Sequence, residues 1–144
     1  MSVAIKISEA AVIGIHAMIY MAQRPDRKIS TKEIADFHQV SDNHLSKVLQ
    51  RLVRSGYVTS VRGPGGGFQL AKEPDDITMV NIYELFDGPL KLNECLFDRP
   101  VCVAGGCLFG NLLHEVNGLI ENYMESTRLS SFISGAIPAA EKSE

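Results

Sequence analysis

Hydrophobic positions recur at helical spacing in three segments of the first half of the chain. Residues 8–23 are mostly small and apolar, which predicts a buried helix with Ser8 as its N-cap, ended by Arg24-Pro25. Two further helices are predicted over Thr31–Phe37 and from Ser41 or Asp42 to Arg54. Because they are about eight and thirteen residues long and joined by a tight turn, they have the dimensions of a helix-turn-helix.

The ends of these two helices carry recognisable capping residues. Ser30 and Glu33 have the spacing of a capping box, in which the hydroxyl and the carboxylate each satisfy a free backbone N–H group. Gly56 follows the second helix at a position that favours a left-handed residue. The buried side of the first helix is expected to contain Ile34, Ala35 and Phe37.

The second helix separates an apolar face from a polar one. The inward face is predicted to contain Leu45, Val48, Leu49 and Leu52. The outward face contains Asn43, His44, Lys47, Arg51 and Arg54. Such side chains can hydrogen-bond base edges and phosphates in a major groove, although an ordinary amphipathic surface helix shows the same pattern.

A β-hairpin is predicted directly after this helix. Residues 57–61 and 68–71 have the composition of strands, and the glycine-rich segment 62–67 forms the turn between them. No Lys-Ser/Thr pair and no helix follow the glycines, so a nucleotide-binding P-loop is excluded. The hairpin is instead the wing of a winged helix, and Arg62 is placed to reach DNA. The predicted DNA-binding residues are Ser30, Thr31, Ser41, Asn43, His44, Lys47, Arg51, Arg62, Gly63, Gly65 and Gly66.

The second half of the chain predicts two more helices. One spans Met79–Phe86, with Thr78 or Asp76 as its cap. The other is long and is expected to begin at Cys107. Its apolar stripe consists of Leu108, Phe109, Leu112, Leu113, Val116, Leu119, Ile120, Tyr123 and Met124. A stripe of this length needs a partner surface, either the same helix of a second subunit or the chain's own first helix.

These elements predict a mainly α fold with a small β-hairpin wing (α+β), a winged helix-turn-helix with a long C-terminal dimerisation helix. Residues 1–74 are expected to form the DNA-binding domain, whose first helix also lies at the dimer interface. Residues 75–135 would form a sensor loop and the dimerisation helix, and residues 136–144 a disordered tail.

Charge supports this division. Residues 24–72 contain nine Lys/Arg and four Asp/Glu, a net charge of +5, whereas residues 73–144 contain four Lys/Arg and twelve Asp/Glu, a net charge of −8. A basic module facing a polyanion and an acidic module facing elsewhere fit this distribution. The chain shows no signal peptide and no apolar run that could span a membrane, so a cytoplasmic protein with no membrane partner is expected.

The three cysteines lie close together, as C-x6-C-x4-C. Cys95, Cys102 and Cys107 are expected to be reduced in the cytoplasm. Thiolates select zinc, copper(I) or iron–sulfur clusters, and the C-x2-4-C pairs of structural zinc sites do not occur. We expect an iron–sulfur cluster with a fourth ligand other than cysteine. Reactive thiols without metal and inert buried cysteines are the alternatives. A helix beginning at Cys107 would lower the pKa of its thiol.

The sequence resembles the bacterial winged-helix iron–sulfur regulators of the IscR/NsrR (Rrf-two) family over nearly its whole length. The resemblance is carried by segments 29–35, 41–49, 56–58 and 61–68 and by the three cysteines. It implies a homodimer with crossing C-terminal helices that binds palindromic, double-stranded promoter DNA. It also implies a cluster held by Cys95, Cys102 and Cys107, 2Fe–2S more often than 4Fe–4S.

The chain departs from the pattern of this family at the fourth ligand. The family's histidine three residues after the last cysteine is replaced by Gly110, and an acidic ligand of another branch falls at Val12. The cysteine spacing also differs from the x5/x5 typical of the two branches. The remaining candidates for the fourth ligand are Glu9, His16 and His114.

The predicted function is that of a dimeric transcriptional regulator, a repressor, whose cluster responds to nitric oxide, redox state or iron–sulfur supply. A metal-free thiol-redox or small-molecule-responsive regulator of the same fold is the alternative. An enzyme with a cysteine nucleophile is not expected, because no histidine lies within six residues of any cysteine.

Overall fold

A computed structural model describes residues 5–95, 97, 99, 101–102 and 106–134 of the 144-residue chain. Its order of elements is α1 (Glu9–Ala22), α2 (Thr31–His38), α3 (Asp42–Arg54), β1 (Val58–Val61), β2 (Gly67–Leu70), a 3-10 helix (Pro74–Asp76), α4 (Met79–Asp87), α5 (Leu112–Ser126) and a second 3-10 helix (Leu129–Phe132). The strands pair antiparallel, with Val58 opposite Leu70 and Val61 opposite Gly67. This arrangement confirms the predicted winged helix-turn-helix.

Serine hydroxyls define the starts of the first three helices, as predicted. Each accepts a hydrogen bond from a backbone N–H group of the first turn, Ser8 from Ala11 at 3.1 Å, Ser30 from Glu33 at 3.1 Å and Ser41 from His44 at 3.2 Å. At the other end of α3, Gly56 adopts φ +80°, where a side chain would be strained. Local sequence therefore sets the limits of the helix-turn-helix.

The Glu33 side chain does not complete the predicted capping box. Its carboxylate pairs with the Arg27 guanidinium and accepts a hydrogen bond from the Tyr20 hydroxyl at 2.8 Å. A charged guanidinium is a stronger partner than the backbone N–H of Ser30. The pair with Arg27 and the hydrogen bond from Tyr20 lower the pKa of Glu33 from 4.5 to about 2. Glu33 thus ties α2 to α1.

Acidification should weaken the contact of the Glu33 carboxylate with Arg27 and Tyr20. Because the pKa of Glu33 is depressed in the folded state, its contribution to stability is complete above about pH 4.5 and declines as the pH falls toward about 2. Solvent reduces the effect, since the pair is partly exposed. Urea unfolding at about pH 5 and about pH 3 should therefore show Glu33→Gln losing less stability on acidification than the parent. Asp36→Asn, an exposed carboxylate of the same helix, is the control and should follow the parent.

The core surrounds α1 and is continuous along the chain. Met18 and Met21 of α1 are fully buried, together with Leu45, Leu49 and Leu52 on the predicted inward face of α3. The same core extends to side chains beyond residue 74, namely Ile77, Ile82 and Leu129. The winged-helix part and α4 therefore share one hydrophobic core, in which α4 packs on α1.

Phe37 does not belong to this core, contrary to the prediction. Its side chain is 62% exposed. It lies at the end of α2, where its ring packs against Tyr20, with centroids 4.8 Å apart, and against His38, with centroids 4.9 Å apart. Only Ile34 and Ala35 of α2 are buried, because the eight-residue helix turns Phe37 toward the aromatic side of α1.

The last long helix begins later than predicted and has two apolar faces. It starts at Leu112, and residues 108–111 form a turn, so Cys107 does not open the helix. Leu113 and Met124 are buried on the face that packs against α4. The exposed stripe consists of Leu112 (50% exposed), Leu119 (71%) and Tyr123 (55%). Residues 135–144, including the predicted tail, lie outside the described residues.

Candidate nucleic-acid interface

One line of polar side chains runs along the outer face of α3. Asn43, Lys47, Gln50 and Arg54 are exposed at spacings of three and four residues, opposite the buried leucines. His44 is half-buried at one side, with Nδ1 4.0 Å from a carboxylate oxygen of Glu9. The line offers amide and cationic groups suited to base edges and phosphates.

The predicted set of DNA-binding residues contained Asn43 and Lys47 of this line, but not Arg54, which was placed only on the outward face, and not Gln50. It lies between Lys47 and Arg54, and its amide can donate and accept hydrogen bonds. Its spacing from Asn43 and Lys47 could have identified it, because positions three and seven apart share a helix face.

Arg51 lies beside this line. Its Cζ is 5.5 Å from the centroid of the Phe86 ring of α4, a cation–π contact between the recognition helix and α4. Arg51 is exposed, so its guanidinium retains free donors. Its contact with DNA stays a prediction.

The wing is anchored to the start of the helix-turn-helix. Ile29 and Phe68 exchange two backbone hydrogen bonds, of 2.9 and 2.8 Å, which add a bridge to the two-stranded hairpin. At its tip, Gly63 and Gly65 have φ of +96° and +73°. A Cβ at Gly66 would lie 2.2 Å from the Val61 carbonyl oxygen. The tip thus requires glycine for its fold, independently of any contact with phosphate.

A groove separates α3 from the wing. Gln50 and Arg54 line it from α3, Ser60 and Arg62 from the wing, and Val53 and Phe68 form apolar parts of its walls. Its lining residues carry two cations and no carboxylate. A winged helix that places α3 in a major groove therefore brings Arg62 beside the neighbouring backbone.

The predicted hydroxyl contacts lie at helix starts. Ser30 and Ser41 are exposed N-caps, and Thr31 is the first residue of α2. Their backbone N–H groups and oxygens lie where helix termini commonly meet phosphates. Contacts of these three residues with DNA remain predictions.

The three thiols lie in the segment between α4 and α5. Cys95 is half-buried, and Cys102 and Cys107 are exposed free cysteines. The Cys107 carbonyl accepts a hydrogen bond from the Gly110 N–H at 2.9 Å in the turn before α5. Since Cys107 precedes the helix by five positions, the prediction of a thiol activated by the helix dipole is wrong.

The structure does not bring the candidate fourth ligands together with the cysteines. Glu9 faces His44, His16 Nδ1 lies 2.8 Å from the Val12 carbonyl oxygen, and His114 is exposed on α5. Within the described part of the chain, no three Cys, His, Asp or Glu side chains converge on a metal-sized position. The donor chemistry of three thiols suits an iron–sulfur cluster, but the fourth ligand is not identified.

Among the residues that the structure describes, no helix combines the length and the apolar character needed to cross a bilayer.

Sequence comparisons match the chain to a family of regulators. The family model Rrf2, described as iron-dependent transcriptional regulator, matches residues 7–135. The HTH-type transcriptional regulator BadM of Rhodopseudomonas palustris is 42% identical over 94 residues, which are 65% of this chain and 60% of that protein. The HTH-type transcriptional regulator NsrR of Shouchella clausii is 34% identical over 71% of this chain and 70% of its own length.

Two solved structures share the fold. CymR (YrzC), the global cysteine regulator of B. subtilis, superposes with a TM-score of 0.77 at 28% identity, over 92% of this chain and 98% of that one. T. potens IscR superposes with a TM-score of 0.69 at 28% identity, over 91% and 88%. The relatives are named as regulators and not as enzymes. The helix-turn-helix, the wing and the family match together establish that this chain belongs to the Rrf2 family of DNA-binding transcriptional regulators.

Proposed function

We propose that the protein is a cytoplasmic, homodimeric repressor that binds a palindromic promoter site. An iron–sulfur cluster, which we assign to the 2Fe–2S type in preference to the 4Fe–4S type, controls its binding to DNA. The cluster responds to nitric oxide, redox state or iron–sulfur supply. The observation that supports DNA binding is the exposed line formed by Asn43, Lys47, Gln50 and Arg54 on α3. This line borders a groove whose wing side is lined by Arg62.

In this proposal α3 reads the major groove. Asn43 and Gln50 supply amides for base edges, and Lys47 and Arg62 supply charge for phosphates. His44 and Arg51 flank the line, while Ser30, Thr31, Ser41 and the wing glycines 63, 65 and 66 approach the backbone. Residues 1–74 are the DNA-binding part, and residues 75–135 carry the sensor loop and the dimerisation helix.

The exposed stripe of α5 supports dimerisation. Leu112, Leu119 and Tyr123 lie on one side of the helix, while its other apolar face packs on α4. An exposed apolar stripe beside a helix face that is already packed needs a further partner. A second copy supplies a matching stripe through two-fold symmetry. It also provides the second recognition helix that a palindrome requires.

The cysteine loop supports control by a cluster. Cys95, Cys102 and Cys107 provide three soft donors of the kind iron–sulfur clusters require. A bound cluster would supply iron that reacts with nitric oxide and changes oxidation state. The family description as iron-dependent regulators and the relatives named IscR and NsrR favour this assignment.

A direct hydrogen bond connects the loop to α5. The amide of Asn117, a buried residue of α5, donates to the Asn93 carbonyl oxygen at 3.0 Å, two residues before Cys95. A change in the loop would therefore act on α5. Movement of α5 alters the separation of two recognition helices that must lie about 34 Å apart to occupy successive major grooves.

Cys102→Ala tests the cluster. Protein purified without oxygen should show visible absorbance with stoichiometric iron and sulfide, and should lose colour with nitric oxide. The variant should lose nearly all iron while its thermal unfolding stays within a few degrees of the parent, because Cys102 is exposed. Val101→Ala, a change at an exposed neighbouring residue, is the control and should retain the cluster. A colourless parent, or a Cys102→Ala variant with full iron content, contradicts the assignment.

A metal-free thiol switch is the second candidate. It is favoured by the exposure of Cys102 and Cys107, which leaves both sulfurs accessible to oxidants. In that case the parent would be colourless, and operator binding would change on mild oxidation and recover with a dithiol reductant.

A further inference from the structure

The side chain of Arg51 contacts an aromatic ring that lies outside the helix-turn-helix and the wing. Its Cζ is 5.5 Å from the centroid of the Phe86 ring, near the C-terminal end of α4. Arg51 is an exposed residue of α3, the helix proposed to read DNA. Because a guanidinium contacts a ring through its flat face, the N–H donors at its edge stay available to another partner.

The Phe86 ring is supported from behind by α1. The ring is half-buried and lies so close to α1 that a Cβ at Gly14 would come within 2.5 Å of its Cε2 atom. The end of α4 is also bonded to the start of α1, since the Asp87 carboxylate accepts a hydrogen bond from the Ser8 N–H at 2.9 Å. Phe86 therefore offers a fixed surface to the long and flexible side chain of Arg51.

The charge of Arg51 is not taken up by a carboxylate. None of the ion pairs in the described part of the chain involves Arg51. The two acids nearest to Phe86 in the sequence have other partners, because Asp87 accepts from the Ser8 N–H and Glu84 accepts from the Leu90 N–H at 3.1 Å. Arg51 is thus a cation that a ring holds in place while its donors remain unused, which suits a contact with a phosphate.

We propose that Phe86 is a positioning residue of the DNA interface, whose ring holds the Arg51 guanidinium for a contact with a DNA phosphate on the α4 side of α3. The inference rests on the proposed function, because it requires α3 to lie in the major groove. Arg51 lies beside the exposed line of α3 and not within it. That position favours the sugar–phosphate backbone over the base edges.

The physical effect of the ring is to order Arg51 before DNA arrives. An arginine without support gives up the freedom of its side chain when it binds, and this loss weakens the complex. The contact also extends the DNA-binding unit beyond residues 1–74. Since α4 leads directly into the segment with the three cysteines, the recognition helix contacts the proposed sensor half within one protomer.

Replacing Phe86 with pentafluorophenylalanine tests the contact in the full-length protein. The substituted ring keeps nearly the same shape, but its electron-poor face no longer attracts a cation. Operator affinity, measured by fluorescence anisotropy, should fall about twofold to fivefold for each protomer, and so about fourfold to 25-fold for the dimer. In an Arg51→Ala background the same replacement should change the affinity by less than about twofold, because the ring then has no guanidinium to hold.

A matched control and a second variant complete this test. Pentafluorophenylalanine at Phe132, a half-buried ring of the second 3-10 helix, should leave operator affinity unchanged. Phe86→Leu keeps an apolar side chain without a ring and should show the same loss, again only where Arg51 is present. The inference is overturned if the fluorinated Phe86 protein binds like the parent. A loss that is equally large in the Arg51→Ala background overturns it as well, because Phe86 would then act on the fold and not through Arg51.

The role of Arg51 itself separates this inference from the proposed function. Arg51→Ala should weaken operator binding and lower the slope of log affinity against log salt by about one for each phosphate that is no longer neutralised. A parent protein that binds no operator contradicts the proposed function and this inference together. Operator binding that depends on Lys47 but not on Arg51 or on the Phe86 ring supports the proposed function and overturns the role of Phe86.

Discussion

Replacing Lys47 or Arg62 with alanine should weaken operator binding about tenfold or more, and replacing both should reduce it toward the non-specific level. Lys47 lies on the exposed line of α3, and Arg62 lines the groove between α3 and the wing on the wing side. Each substitution removes one cation from each protomer. Where that cation meets a phosphate, the slope of log affinity against log salt should fall by about one for each phosphate that is no longer neutralised.

Fluorescence anisotropy over a salt series measures both quantities. Lys91→Ala is the matched control, because Lys91 is an exposed lysine in the loop after α4, and its removal should leave affinity and salt slope unchanged. Operator affinity equal to that of the parent in both Lys47→Ala and Arg62→Ala would refute the assignment of α3 and the wing to DNA.

Placing a lysine at Leu119 should convert the dimer to a monomer. Leu119 is 71% exposed in the single chain and lies at the centre of the α5 stripe. In a two-fold interface the change puts two like charges near each other without partners, which costs several kcal/mol and should raise the dimer dissociation constant at least about 100-fold. Operator affinity should fall with it, because a monomer occupies only one half-site.

Sedimentation measures this effect directly. Glu125→Lys also places a lysine on an exposed position of α5, but away from the stripe, and should stay dimeric. Since Leu119 has little contact within its own chain, the unfolding temperature of an isolated protomer should not decrease. A dimeric Leu119→Lys protein would show that the stripe is not the interface.

Local sequence signals predicted the helix-turn-helix and the wing well. The Ser8, Ser30 and Ser41 caps and the turn glycines act within a few residues, so their effects can be inferred without the tertiary structure. The buried face of α3 followed from spacing alone. The three clustered thiols predicted an iron–sulfur cluster, and the family resemblance added the expectation of a 2Fe–2S type, which spacing did not provide.

The incorrect predictions concern positions at which contacts outside the local segment decide the structure. Glu33 takes Arg27 and Tyr20 as partners in place of the Ser30 backbone, because a charged partner forms the stronger hydrogen bond. Phe37 packs on the aromatic side of α1 and not in the core. Cys107 precedes α5 by a turn that contains Gly110 with φ +55°. Gln50 was omitted although its spacing from Asn43 and Lys47 places it on the same helix face.

Hydroxyl-radical footprinting on a promoter fragment selected from genomic DNA tests the central claim most directly. Two recognition helices and two wings should protect two half-sites with centres about one helical turn, 10–10.5 base pairs, or a multiple of that apart and related by a two-fold axis. The Lys47→Ala, Arg62→Ala double variant should lose both half-sites together. A single asymmetric footprint, or protection that survives in the double variant, would contradict a dimer that reads DNA through α3 and the wing.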